Sequence, residues 1–271
     1  MLRHVDLCSG IGGFSLGFQW AELSKPVLFC DIEPWSRQIL AKHWPDVPIA
    51  EDVKELANDP DGLVPDCDIL TAGYPCQPFS VAGDRKGAED DRHIWPYIFS
   101  IIQAKRPTFC IFENVLGHVT LGLDEVLSDL ENESYTTRPF IVPACATDAP
   151  HQRNRLWIIA HILADTSRKR LQGRLSGRQN KERKSQLGYV GCSSTIHRQP
   201  IQNGWAAEPS VGRVAHGIPD WMDEPRDIPR VSKGVPNRAN RLKGLGNAIV
   251  PQISMKIAES ILKEMQPDSK K

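Results

Sequence analysis

Cys76 stands in the run Gly73-Tyr74-Pro75-Cys76-Gln77-Pro78-Phe79-Ser80, directly after the apolar stretch Asp68-Ile69-Leu70-Thr71-Ala72, which reads as a buried strand. Prolines on both sides fix φ and remove backbone donors, so the thiol sits on a stiff loop just past a strand end. In open α/β sheets that is where ligand chemistry happens, which makes Cys76 a candidate nucleophile. The competing reading is a cysteine packed as a small hydrophobe. A carboxyl group comes with Glu113 in Phe112-Glu113-Asn114-Val115, at the end of another apolar strand and facing the same crevice. Its competing reading is a surface ion pair. Arg153 and Arg155, at i and i+2 in Gln152-Arg153-Asn154-Arg155-Leu156, would point the same way from an extended segment and could hold carbonyl oxygens or phosphate.

A second group of residues suits a nucleotide-like ligand. Asp6-Leu7-Cys8-Ser9-Gly10-Ile11-Gly12-Gly13 follows a strand and opens a helix, and its glycines allow the backbone to approach a ligand at the helix N-terminus. About twenty residues on, Asp31 and Glu33 end the next strand, a spacing that matches a carboxylate accepting ribose hydroxyls. Asp52, after a third strand, is either another ligand carboxylate or a helix cap. Gly244-Leu245-Gly246-Asn247-Ala248-Ile249-Val250-Pro251 begins the last helix, with Asn247 as a plausible N-cap.

These groups need a scaffold, and the chain supplies the pattern for one. Strands are expected at Val5–Leu7, Pro26–Asp31, Val47–Ala50, Ile69–Ala72, Phe109–Phe112, Tyr135–Val142 and Leu156–Ile162. Helices are expected at Phe14–Leu23, Trp35–Trp44, Ile94–Ala104 and Leu123–Leu130, with helical periodicity returning over Asn247–Met265 and Pro251 in its first turn. Strands separated by helices imply βαβ units and a doubly wound, mostly parallel α/β sheet. From Asp165 to about Arg238 apolar periodicity gives way to Gly, Pro, Ser, Gln, Lys and Arg, the mark of a small, loop-rich annex.

The 271 residues carry 33 Lys and Arg against 33 Asp and Glu, yet the charge is unevenly spread. Ser167–Lys243 holds sixteen basic and six acidic residues, which points to an anionic partner on that region. Seven cysteines without a C-x-x-C pair or zinc spacing fit a reducing cytoplasm, and no metal site is expected. The N-terminus enters a strand with no signal-peptide stretch before it, and no apolar run reaches the roughly 20 residues of a membrane span. A cytoplasmic protein of bacterial or phage origin is expected.

In order and spacing, five stretches resemble the cytosine-C5 DNA methyltransferases: the first Gly-rich turn, the Pro-Cys-Gln loop, Glu-Asn-Val, Arg-x-Arg, and Gly-Asn-Ala-Ile-Val-Pro near the C-terminus. They cover residues 1–162 and 240–262. The resemblance implies a Rossmann-like methyltransferase fold, in which 1–162 plus 240–271 form the catalytic part and 163–239 a small DNA target-recognition domain. It implies S-adenosyl-L-methionine, with no metal, as cofactor, contacted by Asp6, Cys8, Gly10, Gly12, Gly13, Pro75, Asn247 and Ala248. Asp31 matches the ribose-binding acid, Ile32 the residue against the adenine and Asp52 the adenine amino contact. Cys76 matches the nucleophile, Glu113 the residue on the cytosine N3/N4 edge and Arg155 the one holding O2. Arg153 lies where a second arginine supports the cysteine loop. Double-stranded DNA is the implied substrate, touched by Ser80, Arg85 and Lys86, and a monomer with a cognate restriction endonuclease encoded nearby is the implied setting.

That family's chemistry accounts for the residue types. A thiolate adding to C6 makes C5 nucleophilic, a carboxylic acid at N3 draws off charge, and the base must first be flipped out of the duplex. Two positions depart from the pattern. Cys8 stands where the family often has an aromatic, and His151 where a Gln usually begins the Gln-x-Arg-x-Arg motif. The same chemistry on RNA, and a non-catalytic DNA-binding protein that retains the fold, are the alternative readings.

Overall fold

The computed structural model describes residues 1–75, 94–120, 122–147, 152–162, 188–189 and 237–265. The expectations for Cys76, Ser80, Arg85, Lys86, His151 and nearly all of the 163–239 annex fall outside these residues.

An eight-stranded sheet runs in the order β3-β2-β1-β4-β5-β7-β6-β8. Its strands are β1 (Leu2–Leu7), β2 (Ser24–Cys30), β3 (Ile49–Ala50), β4 (Ile69–Ala72), β5 (Phe109–Val115), β6 (Thr136–Pro143), β7 (Asn154–His161) and β8 (Gly188–Tyr189). The first five in that order are mutually parallel, whereas β7 lies antiparallel between β5 and β6. Parallel strands buried on both faces read as unbroken apolar runs. Here Leu70, Cys110 and Phe112 face one layer while Ile69, Phe109 and Ile111 face the other.

One layer contains α3 (Val53–Asn58), α5 (Trp95–Lys105) and α6 (Leu123–Asn132), whose Leu56, Ile98 and Val126 share a core with β1 and β4. The opposite layer contains α1 (Gly13–Trp20), α2 (Pro34–His43), α7 (Arg238–Asn247) and α8 (Pro251–Met265). A short α4 (Pro60–Leu63) follows α3. Chain order turns back between β1 and β4, one side running on to β2 and the other to β5. That switch point opens a crevice at the strands' carboxyl ends.

Most expected elements stand within a few residues of their observed bounds. Two readings are corrected and other elements are added. Asn247 does not cap the last helix: it is the final residue of α7, and Ala248 beyond it is extended (φ −64°, ψ 143°). Pro251 takes the first position of α8, which suits proline, and pushes Val250, the residue before it, out of the helical region, so α8 begins well past Asn247. Arg153 does not alternate with Arg155 on one extended face: it precedes β7 with φ +31°, a left-handed turn. Helices α3 and α4 occupy a stretch too short and polar for periodicity to show, and both are started by Asp caps, Asp52 accepting from the Lys54 N–H at 2.9 Å and Asp59 from Gly62 at 3.0 Å. Finally, α7 begins at Arg238, and the pair Gly188–Tyr189 joins the main sheet beside β6.

Candidate active site

A cleft of about 680 Å³ opens at the switch point. Cys8, Gly10, Asp31, Ile32, Asp52, Pro75, Glu113, Arg153, Arg155 and Asn247 all line it, so the structure brings together residues that lie up to 239 positions apart in sequence.

At one end the wall is built from backbone. The chain leaves β1 through Cys8 (φ +49°), Gly10 (φ +56°) and Gly12 (φ +85°), a run of left-handed positions. Nothing lies within 4 Å of where a Gly10 side chain would begin, so that position borders open space. At Gly12 a Cβ would strike the Trp44 ring at 2.6 Å, and at Gly13 the Ile249 carbonyl at 2.7 Å, so these two glycines serve packing beneath the turn. Asp31, 8% exposed, accepts from the Gly10 N–H at 2.7 Å and the Glu33 N–H at 2.9 Å. Burial pushes its carboxyl up from the ordinary range, against the pull of those two backbone donors. The Ser36 hydroxyl is a third donor to it. Ile32, 61% exposed, offers an apolar face there.

Asp6 lies behind this wall, not in it. Its carboxyl accepts from Thr71 Oγ1 at 2.7 Å and Ser15 Oγ at 2.9 Å, and His4 Nε2 reaches the same Thr71 hydroxyl at 2.7 Å. Burial lifts Asp6 to about 7 and lowers His4 to about 3. The network ties β1, β4 and α1 together under the turn. Burial also pushes the Cys8 thiol well up, which leaves it a poor nucleophile.

At the other end the wall is built from side chains. Register places Glu113 opposite Trp157 and Val115 opposite Arg155, so Glu113 and Arg155 are diagonal neighbours on one face. Arg155 Nε donates to Glu113 Oε1 at 2.9 Å, and its Nη1 donates to the Asn154 carbonyl at 3.0 Å. Burial lifts Glu113 to about 7, opposed by the positive charges of Arg155 and Arg153. A carboxyl whose protonated form burial favours in this way is suited to giving or taking a proton. Thus the ion pair considered for Glu113 exists, but it is buried in a cleft. Arg153 turns away from this pair: its two terminal nitrogens donate to the carbonyls of Gly246 at 2.9 Å and Ala248 at 3.0 Å, fastening the α7–α8 link. Ala248, expected at the cofactor, is buried and does not line the cleft; its carbonyl is taken by Arg153.

Several lining residues escaped sequence reading. Trp35 and Lys243 close the cleft from α2 and α7, with Lys243 paired to Glu33 across them, and Gly244 lies against the Trp35 ring. Tyr74 and Asn114 also line it, joined by a 3.2 Å bond from Asn114 Nδ2 to the Tyr74 carbonyl. The aromatic and amide residues flanking Cys76 and Glu113 were the available signal. Among the described residues no group of three or more His, Cys, Asp and Glu could hold a metal ion, and no helix is long and apolar enough to cross a membrane.

Residues 2–198 match the model of the C-5 cytosine-specific DNA methylase family, and the chain belongs to that family. The match stops short of Asn247. Relatives include the type II methyltransferases M2.BsuMI of Bacillus subtilis, 31% identical over 176 residues, and M.NlaIV of Neisseria lactamica, 34% identical over 178 residues. These alignments cover 60% and 59% of this chain but only 43% and 41% of the relatives, so the chain spans less than half of their length. Among solved structures it is similar to the Dnmt2 methyltransferase of S. pombe, with 27% identity, a TM-score of 0.53, and coverage of 60% of this chain and 51% of that one. A Spodoptera frugiperda DNMT2, at 18% identity and a TM-score of 0.55, shares the fold.

Proposed function

We propose that this chain is an S-adenosylmethionine-dependent DNA (cytosine-5-)-methyltransferase that acts on a cytosine flipped out of duplex DNA. The observation that supports it most is the buried Glu113–Arg155 pair, in one cleft with the Gly10–Asp31 wall and with Pro75, the residue before Cys76. The wall fits the cofactor: open space beside Gly10, a carboxylate with acceptor capacity for ribose hydroxyls, and the exposed Ile32 for an adenine ring. Bound there, S-adenosylmethionine supplies an electrophilic methyl group.

The chain's own residues would do the rest. Cys76 forms a bond to C6 of the pyrimidine, and the ring electrons move toward N3 and make C5 nucleophilic. Glu113 hydrogen-bonds or protonates N3, a role suited to a carboxyl that burial lifts to about 7. Arg155 orients Glu113 through Nε, gives one Nη1 hydrogen to the Asn154 carbonyl, and has further guanidinium hydrogens for the base O2. After transfer, loss of the C5 proton and expulsion of Cys76 restore the ring. Flipping costs a few kcal/mol, which contacts from Ser80, Arg85 and Lys86 to the DNA would offset.

In this reading residues 1–162 and 240–271 form the catalytic part and 163–239 recognise the target. The enzyme works as a cytoplasmic monomer, with a restriction endonuclease as its genetic partner. The test is transfer of labelled methyl from S-adenosylmethionine to duplex DNA and, in parallel, to tRNA. Incorporation into DNA that is lost in C76A supports the reading, and bisulfite sequencing then gives the target site. Incorporation into tRNA alone, or transfer surviving C76A, contradicts it.

A further inference from the structure

The turn after β4 is fastened at Tyr74. Tyr74 is 4% exposed, and its ring packs against Trp95 (centroids 5.7 Å apart), Phe112 (6.2 Å) and the His118 imidazole (5.5 Å). Its hydroxyl meets His118 Nε2 at 2.9 Å, while its carbonyl accepts from Asn114 Nδ2 at 3.2 Å. The same residue is therefore held at both its tip and its backbone. Both holding groups come from the carboxyl end of β5: Asn114 follows Glu113 directly, and His118 lies in the 3-10 turn Leu116–Val119. His118 is 2% exposed, and its Nδ1 has no hydrogen-bond partner among the described residues, so the Tyr74 hydroxyl is the imidazole's one polar anchor there. A merely space-filling aromatic pair would need neither the hydroxyl nor a buried imidazole, whose desolvation is costly.

We propose that Tyr74 and His118 are positioning residues: their hydrogen bond fixes the direction in which the chain enters Pro75-Cys76 relative to Glu113. The inference rests on the methyltransferase reading for its meaning, since it assumes that Cys76 and Glu113 work on one ring. Because Tyr74 is tied to the end of β5 that carries Glu113, a small rotation of Tyr74 would change how the chain leads into Cys76 relative to Glu113, while Gly10 and Asp31 stay in place. Misplacement of a reacting group by an ångström costs on the order of 100-fold in rate, so partial loosening should cost about tenfold.

The experiment compares wild type, Y74F, H118L and H118Q as full chains. Y74F and H118L should lower kcat about tenfold, with the KM for S-adenosylmethionine and for DNA within about twofold. H118Q places an amide near the Nε2 position and should recover to within about threefold of wild type. Independently of turnover, alkylation of Cys76 by iodoacetamide, mapped by peptide mass spectrometry, should change at least about threefold in Y74F and H118L. Alkylation of the buried Cys30 and Cys110 should stay as in wild type, which shows that the fold is intact. A kcat for Y74F within twofold of wild type, H118Q as slow as H118L, or unchanged Cys76 alkylation would overturn the proposal. A wild type that methylates neither DNA nor tRNA would defeat the methyltransferase reading alone, and the alkylation comparison would still test the clamp.

Discussion

The two ends of the cleft each carry a buried acid at a strand's carboxyl end, and they are built on different principles. Asp31 is gripped by backbone N–H groups of Gly10 and Glu33, in a wall of left-handed turn positions. Glu113 is held by the Arg155 side chain, and burial lifts it to about 7. Backbone donors do not titrate or rotate, so the Asp31 end suits recognition of a fixed shape. A carboxyl facing a guanidinium in a partly closed site suits proton movement. In the proposed reaction binding and chemistry are thus separated along one crevice, and each can be disturbed alone.

The sharpest way to break that division is E113Q. It keeps the size and loses the proton, and kcat should fall about 100- to 1000-fold with the affinity for S-adenosylhomocysteine unchanged by calorimetry. A comparable loss of cofactor affinity would erase the distinction. D31A should do the reverse. Loss of charge-assisted hydrogen bonds to a ligand raises the KM for S-adenosylmethionine by about 10- to 100-fold while kcat stays within a few-fold. A kcat loss as large as that of E113Q, at constant KM, would contradict it.

How much of this was readable in advance differs along the same line. The sheet was legible because parallel strands buried on both faces leave apolar runs such as Ile69–Ala72 and Phe109–Phe112. Glu113 and Asp31 were legible as cleft residues because each stands at the end of such a run, while Cys76, read the same way, lies outside the described residues. What could not be read was direction. Nothing local says that Arg153 takes φ +31° and turns to the α7–α8 link while Arg155 meets Glu113, because the antiparallel β5–β7 register sets that choice. Nor does a glycine reveal its purpose: Gly10 borders the cleft, whereas Gly12 and Gly13 yield to Trp44 and Ile249, contacts made across the fold. Asp52 proved to be both a helix cap and a cleft residue, so its two readings were never exclusive.

A smaller effect separates the ends by pH. Glu113 moves from 4.5 to about 7 on folding, so between those values the folded chain keeps a proton that the unfolded chain has lost. Stability should therefore fall as pH rises through that window. In urea unfolding from pH 4.5 to 7.5, E113Q should flatten part of that slope relative to wild type, and an identical slope would contradict the assignment. The smallest effect expected is that of R153M. It frees the Gly246 and Ala248 carbonyls and should lower stability by about 1–3 kcal/mol, with a modest rise in the cofactor KM. A loss of kcat alone would instead place Arg153 with Glu113.

The proposed reaction requires the Cys76 thiol to bond to C6 of a flipped cytosine. Its most direct test is mass spectrometry of the chain mixed with S-adenosylmethionine and duplex DNA containing 5-fluorocytosine at the target, where the missing C5 proton stalls release. One covalent chain–DNA adduct mapping to Cys76, and absent in C76A, is the expected result. No adduct on a duplex whose unmodified form the chain methylates, or an adduct that persists in C76A, would contradict it.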